Sequence, residues 1–229
     1  MGSVEAKLQQ VRTRIATACA TSQRPVQSVT LLAVTKTFGP QAVRDAFAAG
    51  QRAFGENYVQ EAVEKMHALA DLRGQLEWHL IGPLQSNKAR IVAAQFDWVH
   101  SIDRLKLAER LSVARPAELA PLQVCLQVNI SGESTKSGVA PADTLALAQA
   151  VAALPRLHLR GLMAIPEPAG DFDAQRVPHR ALARLLFELN AAGLALDTLS
   201  IGMSADLEAA IAEGATIVRV GSAIFGERT

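Results

Sequence analysis

The feature that most constrains the fold is a repeated alternation of short apolar segments with longer amphipathic segments. The short segments are apolar or β-branched and have the length of buried strands, whereas the longer ones carry apolar residues at helical spacing. Strand then helix, repeated, predicts parallel pairing, because parallel strands need a long crossover connection. The predicted strands are 30–36, 52–56, 77–82, 97–102, 122–130, 158–165, 196–203 and 216–226.

Helical patterns fill the gaps between these strands, and one more amphipathic helix precedes the first strand. Eight strand–helix units in 229 residues, somewhat below the length of about 250 residues that is usual for the fold, predict a compact (β/α)8 TIM barrel. We expect an α/β protein with a single barrel domain over residues 1–229. A doubly wound open sheet is the alternative, but no strand is followed by the G-x-G-x-x-G turn of that fold. The predicted helices are 4–20, 40–49, 57–72, 86–95, 104–114, 141–154, 173–192 and 204–213.

Composition excludes several classes of partner. Lys and Arg number 23 against 22 acidic residues, and aromatic residues are 4% of the chain, so the basic field and the stacking platforms of nucleic-acid binding are missing. No segment resembles a secretion signal or a membrane span. Cys19 and Cys125 lie in apolar patterns without metal-ligand spacing, which indicates reduced core residues. We expect a cytoplasmic protein without a metal site.

The first predicted strand ends on a lysine, Lys36 in "TLLAVTK". Active sites of TIM barrels lie at the carboxyl ends of the strands. A partly desolvated lysine there is neutral often enough to attack an aldehyde and form a Schiff base. Taken alone, the residue is better explained as a rim lysine whose ammonium group reaches water.

Ser204, Gly221 and Ser222 follow the last two predicted strands. In barrel enzymes these loops, together with a helix N-terminus, form a recurrent phosphate site. Gly221 lets the backbone approach an anion closely, and the two serines add hydroxyl donors. Ser204 also has the position of a helix N-cap, and an ordinary cap and turn would explain the same residues.

Arg219 lies inside the last predicted strand, two residues before Gly221. Alternation places both on the same side, toward the barrel interior or its mouth, where an unpaired guanidinium would be very costly. We therefore expect a defined acceptor. It belongs either to a ligand or to a buried ion pair, for instance with Glu56 or Glu227.

Three histidines, His79, His100 and His158, lie in predicted strands. They have neither metal-ligand spacing nor a partnering carboxylate pattern, so we interpret them as core or rim residues. Lys136, in the long polar loop after the fifth strand, is either a residue that reaches the barrel mouth or a plain surface lysine.

Several long motifs resemble the pyridoxal phosphate homeostasis proteins, the YggS-like family. The similarity runs in register from about Ser28 to Arg228. It is carried by "LLAVTKTFG", "FGENYVQEAVEKM", "LEWHLIGPLQSNKAR", "VHSIDR", "LRGLMAI", "LSIGMSADLEAAI" and "VRVGSAIFGER".

The resemblance implies a barrel like the N-terminal domain of alanine racemase, with pyridoxal 5'-phosphate held as an aldimine on Lys36. Ser204, Gly221 and Ser222 match the positions that bind the phosphate. The implied function is to hold this cofactor and to maintain its intracellular level, and thereby that of vitamin B6, with effects on amino-acid metabolism. Apo forms of pyridoxal-phosphate enzymes are the implied protein partners.

By the same mapping, Arg219 faces the pyridine nitrogen, Asn57 lines the pocket and Met163 lies beneath the ring. A Schiff-base lysine, a phosphate cradle and a polar partner for the ring nitrogen are also what this cofactor requires chemically. A permanently cationic donor at the nitrogen disfavours protonation of the ring and weakens it as an electron sink. This suits a carrier better than a vigorous catalyst.

The alternative function is a racemase, or another amino-acid-transforming enzyme, with Lys36 as its single base. Alanine racemase-like enzymes carry a C-terminal domain with a tyrosine acid/base, whereas this chain ends at Thr229 and its one tyrosine is Tyr58. We therefore assign no catalytic residue, and we expect the protein to be a monomer. A phosphate-binding barrel without pyridoxal phosphate is a third possibility.

Overall fold

The chain folds into a closed barrel of parallel strands in sequence order, as the alternating pattern predicts. The computed structural model describes residues 2–132 and 137–226. Within that part, eight strands close the barrel. They are β1 (Thr30–Val34), β2 (Ala53–Glu56), β3 (Glu77–Leu80), β4 (Trp98–Ile102), β5 (Leu122–Gln127), β6 (Leu157–Met163), β7 (Thr198–Ser200) and β8 (Ile217–Val220).

Helices connect the strands and form the outer layer, after an additional helix at the N-terminus. Short 3-10 segments lie between some of these elements. The helices are α1 (Val4–Thr21), α2 (Pro40–Ala48), α3 (Val59–Ala68), α4 (Ala89–Gln95), α5 (Leu105–Ala114), α6 (Thr144–Ala152), α7 (Phe172–Ala191), α8 (Leu207–Ala212) and α9 (Ser222–Phe225).

Pairing of β1 with β8 closes the barrel. Thr30 lies opposite Ile217, and Leu32 lies opposite Arg219. The first and last strands of the sequence are therefore neighbours, and the loops that follow them meet at the same end of the barrel. The predicted fold is confirmed, and an open sheet is excluded.

Two hydrophobic clusters lie on the two sides of the sheet. The larger one packs between the barrel and its helices and includes Ala33, Phe54, Trp78 and Val220. The smaller one fills the inside of the barrel with residues that alternate with the first set. Its members are Leu32, Val34, Ala53, Ile81, Trp98, Cys125, Met163 and Ile217.

Two element boundaries differ from the sequence prediction near the predicted site. Strand β1 ends at Val34, so Lys36 lies in the turn that follows the strand. The predicted strand 216–226 divides into β8 and the short helix α9, because the chain turns at Gly221. The φ of +95° at Gly226 then ends the helix. Periodicity alone does not separate a four-residue helix from the end of a strand.

Helix α1 packs against α8 and holds the loop that precedes it. The Arg14 guanidinium donates to both carboxylate oxygens of Glu208, at 2.8 and 2.9 Å, and to the backbone oxygen of Ser204 at 3.0 Å. The N-terminal helix therefore fixes the backbone of one of the predicted site residues.

Both cysteines are buried and free, as expected of core residues. Burial raises the pKa of the Cys125 thiol to about 12, so this thiol stays protonated and unreactive at neutral pH. In the part of the chain that the structure describes, no helix is long and apolar enough to cross a membrane.

Candidate functional site

A cavity of about 540 Å³ opens at the carboxyl ends of the strands. It contains the predicted residues from both ends of the sequence, because β1 and β8 are neighbours. Its walls are formed by Val34, Lys36, Phe38, Asn57, Ile81, Ile165, Met203, Ser204, Ala205, Arg219, Gly221, Ser222 and Gly226. The rings of Phe38 and Phe225, with centroids 5.3 Å apart, join the loop after β1 to helix α9.

Lys36 is held in place by hydrogen bonds of the residues on either side of it. The Thr35 hydroxyl donates to Glu56 Oε1 at 2.5 Å, and the Thr37 amide donates to Glu61 Oε1 at 2.6 Å. Thr37 has a φ of +67°, in the left-handed region that β-branched residues rarely adopt. The contact with Glu61 therefore offsets a backbone conformation that costs free energy, and it aims the turn that carries Lys36 at the cavity.

A buried ion pair lies behind this turn. Lys65 Nζ donates to Glu56 Oε1 at 2.5 Å and to the Thr35 backbone oxygen at 2.7 Å. The two side chains are 3% and 0% exposed. Burial raises the pKa of the Glu56 carboxyl, and the contact with Lys65 opposes that rise.

Sequence reasoning considered Glu56 as a partner for Arg219 and did not consider Lys65. The signal was available, because Gly55 faces the interior and alternation turns Glu56 toward the helices. A carboxylate there requires a cation from the helix that follows.

Arg219 projects into the barrel and is 4% exposed. Its Nη1 donates to the Ser200 backbone oxygen and, at 2.9 Å, to Ser200 Oγ, while Nη2 donates to the Ala164 backbone oxygen at 2.9 Å. Burial lowers the pKa of the guanidinium to about 10, so it stays cationic at neutral pH.

The suggested ion pair of Arg219 with Glu56 is wrong, since Glu56 faces the helix layer and binds Lys65. Glu227, the other suggested partner, lies outside the described residues. Carbonyl and hydroxyl oxygens satisfy Arg219 without neutralising it, so the cavity keeps a positive charge on this wall.

The two predicted serines meet across the loops after β7 and β8. Ser222 Oγ and Ser204 Oγ are 3.3 Å apart. A Cβ on Gly221 would lie 3.2 Å from the Val34 backbone oxygen, so glycine allows the close approach of β8 to β1. Ser222 begins α9, whose first amides have no acceptor within the helix. Hydroxyl donors and a helix start therefore line the same wall.

The prediction that Ser204 caps the following helix is wrong. Helix α8 begins at Leu207 with Asp206 at the N-cap position. Asp206 Oδ1 accepts from the Met203 amide at 2.6 Å, and its Oδ2 lies 2.9 Å from His179 Nε2. Burial alone would raise the pKa of Asp206, but these hydrogen bonds lower it. Because Asp206 closes the turn, the Ser204 hydroxyl contacts Ser222 instead.

Asn57 lines the cavity and also lines an adjoining cavity of about 280 Å³. Its Oδ1 is buried and has no hydrogen-bond partner among the described residues. Such an atom is costly unless a ligand or water satisfies it. Met163, predicted beneath the ligand, is fully buried and is not part of the cavity wall. It packs below the cavity floor in one cluster with Val34 and Ile81.

The three histidines divide into two groups. His158 is exposed, as a rim residue would be. His79 and His100 are buried and hydrogen-bonded to each other, and His79 also lies 2.7 Å from a carboxylate oxygen of Glu77. The sequence interpretation missed this carboxylate, although Glu77 and His79 share one face of a strand at a spacing of two.

Lys136 lies outside the described residues. Among the residues that are described, no group of histidine, cysteine and acidic side chains has the geometry of a metal site.

Replacement of Gly82 by alanine tests how the Asn57 wall is built. A Cβ at Gly82 would lie 2.2 Å from the Asn57 backbone oxygen, so the backbone of Asn57 must move. We expect the free energy of unfolding to fall by about 1–3 kcal/mol, as overpacking usually costs, and ligand affinity to fall with it. Urea denaturation measures the first effect and ligand titration the second.

Gly74→Ala is the matched control, because a Cβ there meets nothing within 4 Å and Gly74 has no positive φ. Equal stability of the Gly82→Ala and wild-type proteins would contradict the close approach.

Comparison with known proteins places the chain in two steps. The barrel is of the alanine racemase type: the family model described as alanine racemase, N-terminal domain, matches residues 7–229. Within that class, the chain belongs to the family of the pyridoxal phosphate homeostasis proteins. A protein of this name from Pseudomonas aeruginosa is 58% identical over 228 residues, which are 100% of this chain and 97% of the relative.

Two further relatives agree with this assignment. The pyridoxal phosphate homeostasis protein of Escherichia coli K12 is 52% identical over 229 residues, with 100% of this chain and 98% of the relative covered. The structure of PipY from Synechococcus elongatus with PLP bound superimposes with a TM-score of 0.85 at 39% identity, and covers 97% of this chain and 100% of PipY. The family resemblance that the motifs carry is confirmed.

Proposed function

We propose that this protein binds pyridoxal 5'-phosphate, with Lys36 as the covalent attachment point, and maintains its intracellular level. The observation that carries the proposal is the convergence of Lys36, Arg219 and the Ser204–Ser222 pair on one cavity. These residues come from the loops after β1, β7 and β8 and from β8 itself. The names of the relatives, and the PLP bound to PipY, support the same ligand.

The residues present fit each part of the cofactor. The aldehyde needs a primary amine, which Lys36 supplies by displacing the carbonyl oxygen as water. The phosphate needs uncharged hydrogen-bond donors. The hydroxyls of Ser204 and Ser222 and the backbone near Gly221 provide them. The ring needs an apolar slot with a polar partner for its nitrogen, and Val34 and Ile81 on the cavity wall lie near Arg219.

The charge of Arg219 argues for storage rather than vigorous catalysis. When bound, pyridoxal phosphate supplies an electron sink that depends on protonation of its ring nitrogen. Arg219 can only donate a hydrogen bond and stays cationic, so it opposes a proton on that nitrogen. We therefore propose a non-enzymatic carrier, present in the cytoplasm as a monomeric single domain, that supplies the cofactor to apo forms of pyridoxal-phosphate enzymes.

Borohydride reduction followed by peptide mass spectrometry tests this function on the wild-type protein. After incubation with pyridoxal phosphate and reduction, we expect one pyridoxyl group per chain, on the peptide that contains Lys36. An unmodified protein, or modification spread over surface lysines, would contradict the proposal.

Proton exchange at the α-carbon of amino acids separates a carrier from an enzyme. With the loaded protein in deuterium oxide, we expect an absorption shift on addition of an amino acid but no deuterium incorporation above that with free pyridoxal phosphate. Rapid incorporation would show that the protein is a catalyst with Lys36 as its base, and would overturn the carrier function while leaving the binding site intact.

A further inference from the structure

A continuous chain of hydrogen bonds crosses the inside of the barrel to Arg219. It begins at Glu77, the first residue of β3, whose side chain is 49% exposed. It passes through His79 and His100, which are 1% and 0% exposed, and through Ser200, which is fully buried. The chain therefore joins the amino-terminal end of the barrel, which contacts solvent, to the floor of the proposed cofactor site.

The distances are those of hydrogen bonds at every step. Glu77 Oε1 lies 2.7 Å from His79 Nε2, and His79 Nδ1 lies 2.9 Å from His100 Nε2. His100 Nδ1 lies 2.8 Å from Ser200 Oγ, which in turn lies 2.9 Å from Arg219 Nη1. Trp98 stacks on the His79 ring, with centroids 5.2 Å apart and planes within 8°, and holds the ring in place.

When both imidazoles are neutral, the two ends of the chain determine where each proton lies. A guanidinium can only donate and an ionised carboxylate can only accept. Ser200 Oγ accepts from Arg219, so its own hydrogen is available to His100 Nδ1. His100 then carries its proton on Nε2 and donates to His79 Nδ1, and His79 carries its proton on Nε2 and donates to Glu77.

With both rings neutral, the opposite direction leaves an unsatisfied step. If His100 donated from Nδ1 to Ser200, His79 would have to donate from Nδ1 to His100, and its bare Nε2 would face the Glu77 carboxylate. Two acceptors would then oppose each other at 2.7 Å. The hydrogen bond from His79 lowers the pKa of Glu77, and burial lowers the pKa of His100 well below its usual value, which agrees with an ionised end and a neutral centre.

We infer that Glu77, His79, His100 and Ser200 are positioning residues for Arg219: their side chains form a one-directional hydrogen-bond chain that fixes the guanidinium on the wall of the proposed cofactor site. Ser200 anchors the guanidinium through two of its oxygens, Oγ and the backbone oxygen. Both imidazoles in the chain are neutral, so the charge of Arg219 is not cancelled. The negative charge of Glu77 polarises each hydrogen bond of the chain in the direction from Arg219 to Glu77. The effect on the ring nitrogen rests on the proposed function, but the chain itself does not.

Nitrogen NMR of the histidine rings in the cofactor-free wild-type protein tests the chain directly. We expect His79 and His100 to be neutral near pH 7, each with its proton on Nε2 and a bare Nδ1. The protein has five histidines, so loss of one signal in His79→Gln and of another in His100→Gln assigns the two buried rings. The exposed His158 serves as a reference. A proton on Nδ1 of either buried ring, or a doubly protonated ring, would overturn the inference.

Exchange of the guanidinium protons tests whether the chain holds Arg219. In cofactor-free Ser200→Ala we expect the Arg219 Nη protons to exchange faster with water, by roughly tenfold for the loss of one hydrogen bond. In Glu77→Ala we expect a smaller acceleration, because Glu77 reaches Arg219 only through the chain. Ser200→Thr keeps the hydroxyl and should restore slow exchange. Glu109→Ala removes an exposed carboxylate from α5 and should change nothing. Unchanged exchange in Ser200→Ala would overturn the positioning role.

The absorption spectrum of bound pyridoxal phosphate adds a readout in the loaded protein. We expect Ser200→Ala and His100→Gln to shift the maximum in the direction of Arg219→Gln, and Ser200→Thr to restore it. If the spectrum of Ser200→Ala, or that of Arg219→Gln, were the same as the wild-type spectrum, the inferred effect of the chain on the ring nitrogen would be wrong. Failure of the wild-type protein to bind the cofactor would reject the proposed function alone, because the cofactor-free spectra decide on the chain independently.

Discussion

Replacing Lys36 by alanine abolishes the pyridoxyl modification that borohydride produces in the wild-type protein. The reason is chemical, because among the residues that the structure describes no other group on the wall of this cavity is a primary amine. The serines and Arg219 remain, so we expect weak, reversible binding with an affinity lower by roughly a hundredfold, which is about 3 kcal/mol. Mass spectrometry of the reduced protein measures the modification, and equilibrium dialysis measures the affinity.

Two variants control this result. Lys36→Arg keeps the positive charge but cannot attach the cofactor, so it separates electrostatic attraction from covalent attachment. Lys106→Ala removes an exposed amine on α5 and should be modified like the wild type. If Lys36→Ala were modified by the pyridoxyl group to the same extent as the wild type, another lysine would carry the cofactor, and the role assigned to Lys36 would be wrong.

The arrangement of the barrel could be predicted from the sequence because two periodicities alternate along it. Each strand is buried on both sides and appears as a short apolar segment, and each helix carries one apolar face. Closure then brings the last strand beside the first, so Lys36 and Gly221 could be expected at one site although 185 residues separate them in the sequence. Alternation along β8 also predicted correctly that Arg219 faces inward.

Contacts between side chains of different elements could not be predicted from the sequence. The partner of Glu56 is Lys65 of α3, and the acceptors of Arg219 are oxygens of Ser200 and Ala164. Backbone carbonyls leave no pattern in a sequence, since every residue has one. The cap at Asp206 instead of Ser204 was missed for a related reason, because either residue fits an N-cap and only the loop geometry decides between them.

Local strain and short elements were also missed. The turn at Lys36 depends on the positive φ of Thr37, which a β-branched residue does not suggest. Its support comes from Glu61 and Lys65, four residues apart on α3. The position of the proposed attachment lysine is therefore set by a helix that is not part of the cavity wall.

That dependence makes Lys65 the second position with a large expected effect. In Lys65→Met, Glu56 keeps the Thr35 hydroxyl but loses its cation, and its Oε2 already has no hydrogen-bond partner among the described residues. Breaking a buried pair by removing one partner costs about 3–5 kcal/mol. We expect a loss of this size in the free energy of unfolding, measured by urea denaturation near neutral pH, together with weaker binding of pyridoxal phosphate, because Lys65 also anchors the Thr35 carbonyl beside Lys36.

The pH dependence of Lys65→Met identifies the uncompensated carboxylate as the cause. Burial raises the pKa of Glu56, and loss of Lys65 raises it further. The folded variant therefore binds a proton more tightly than the unfolded chain, so its stability is greatest below the unfolded pKa and falls as the pH rises through the folded pKa. The deficit relative to wild type should therefore shrink as the pH is lowered from neutral toward the ordinary pKa of a glutamate. Lys65→Met combined with Glu56→Gln should recover most of the lost stability, and Lys106→Met, at an exposed site, should cost less than about 0.5 kcal/mol. A deficit that is independent of pH and persists in the double variant would show that Lys65 acts through packing and not through Glu56.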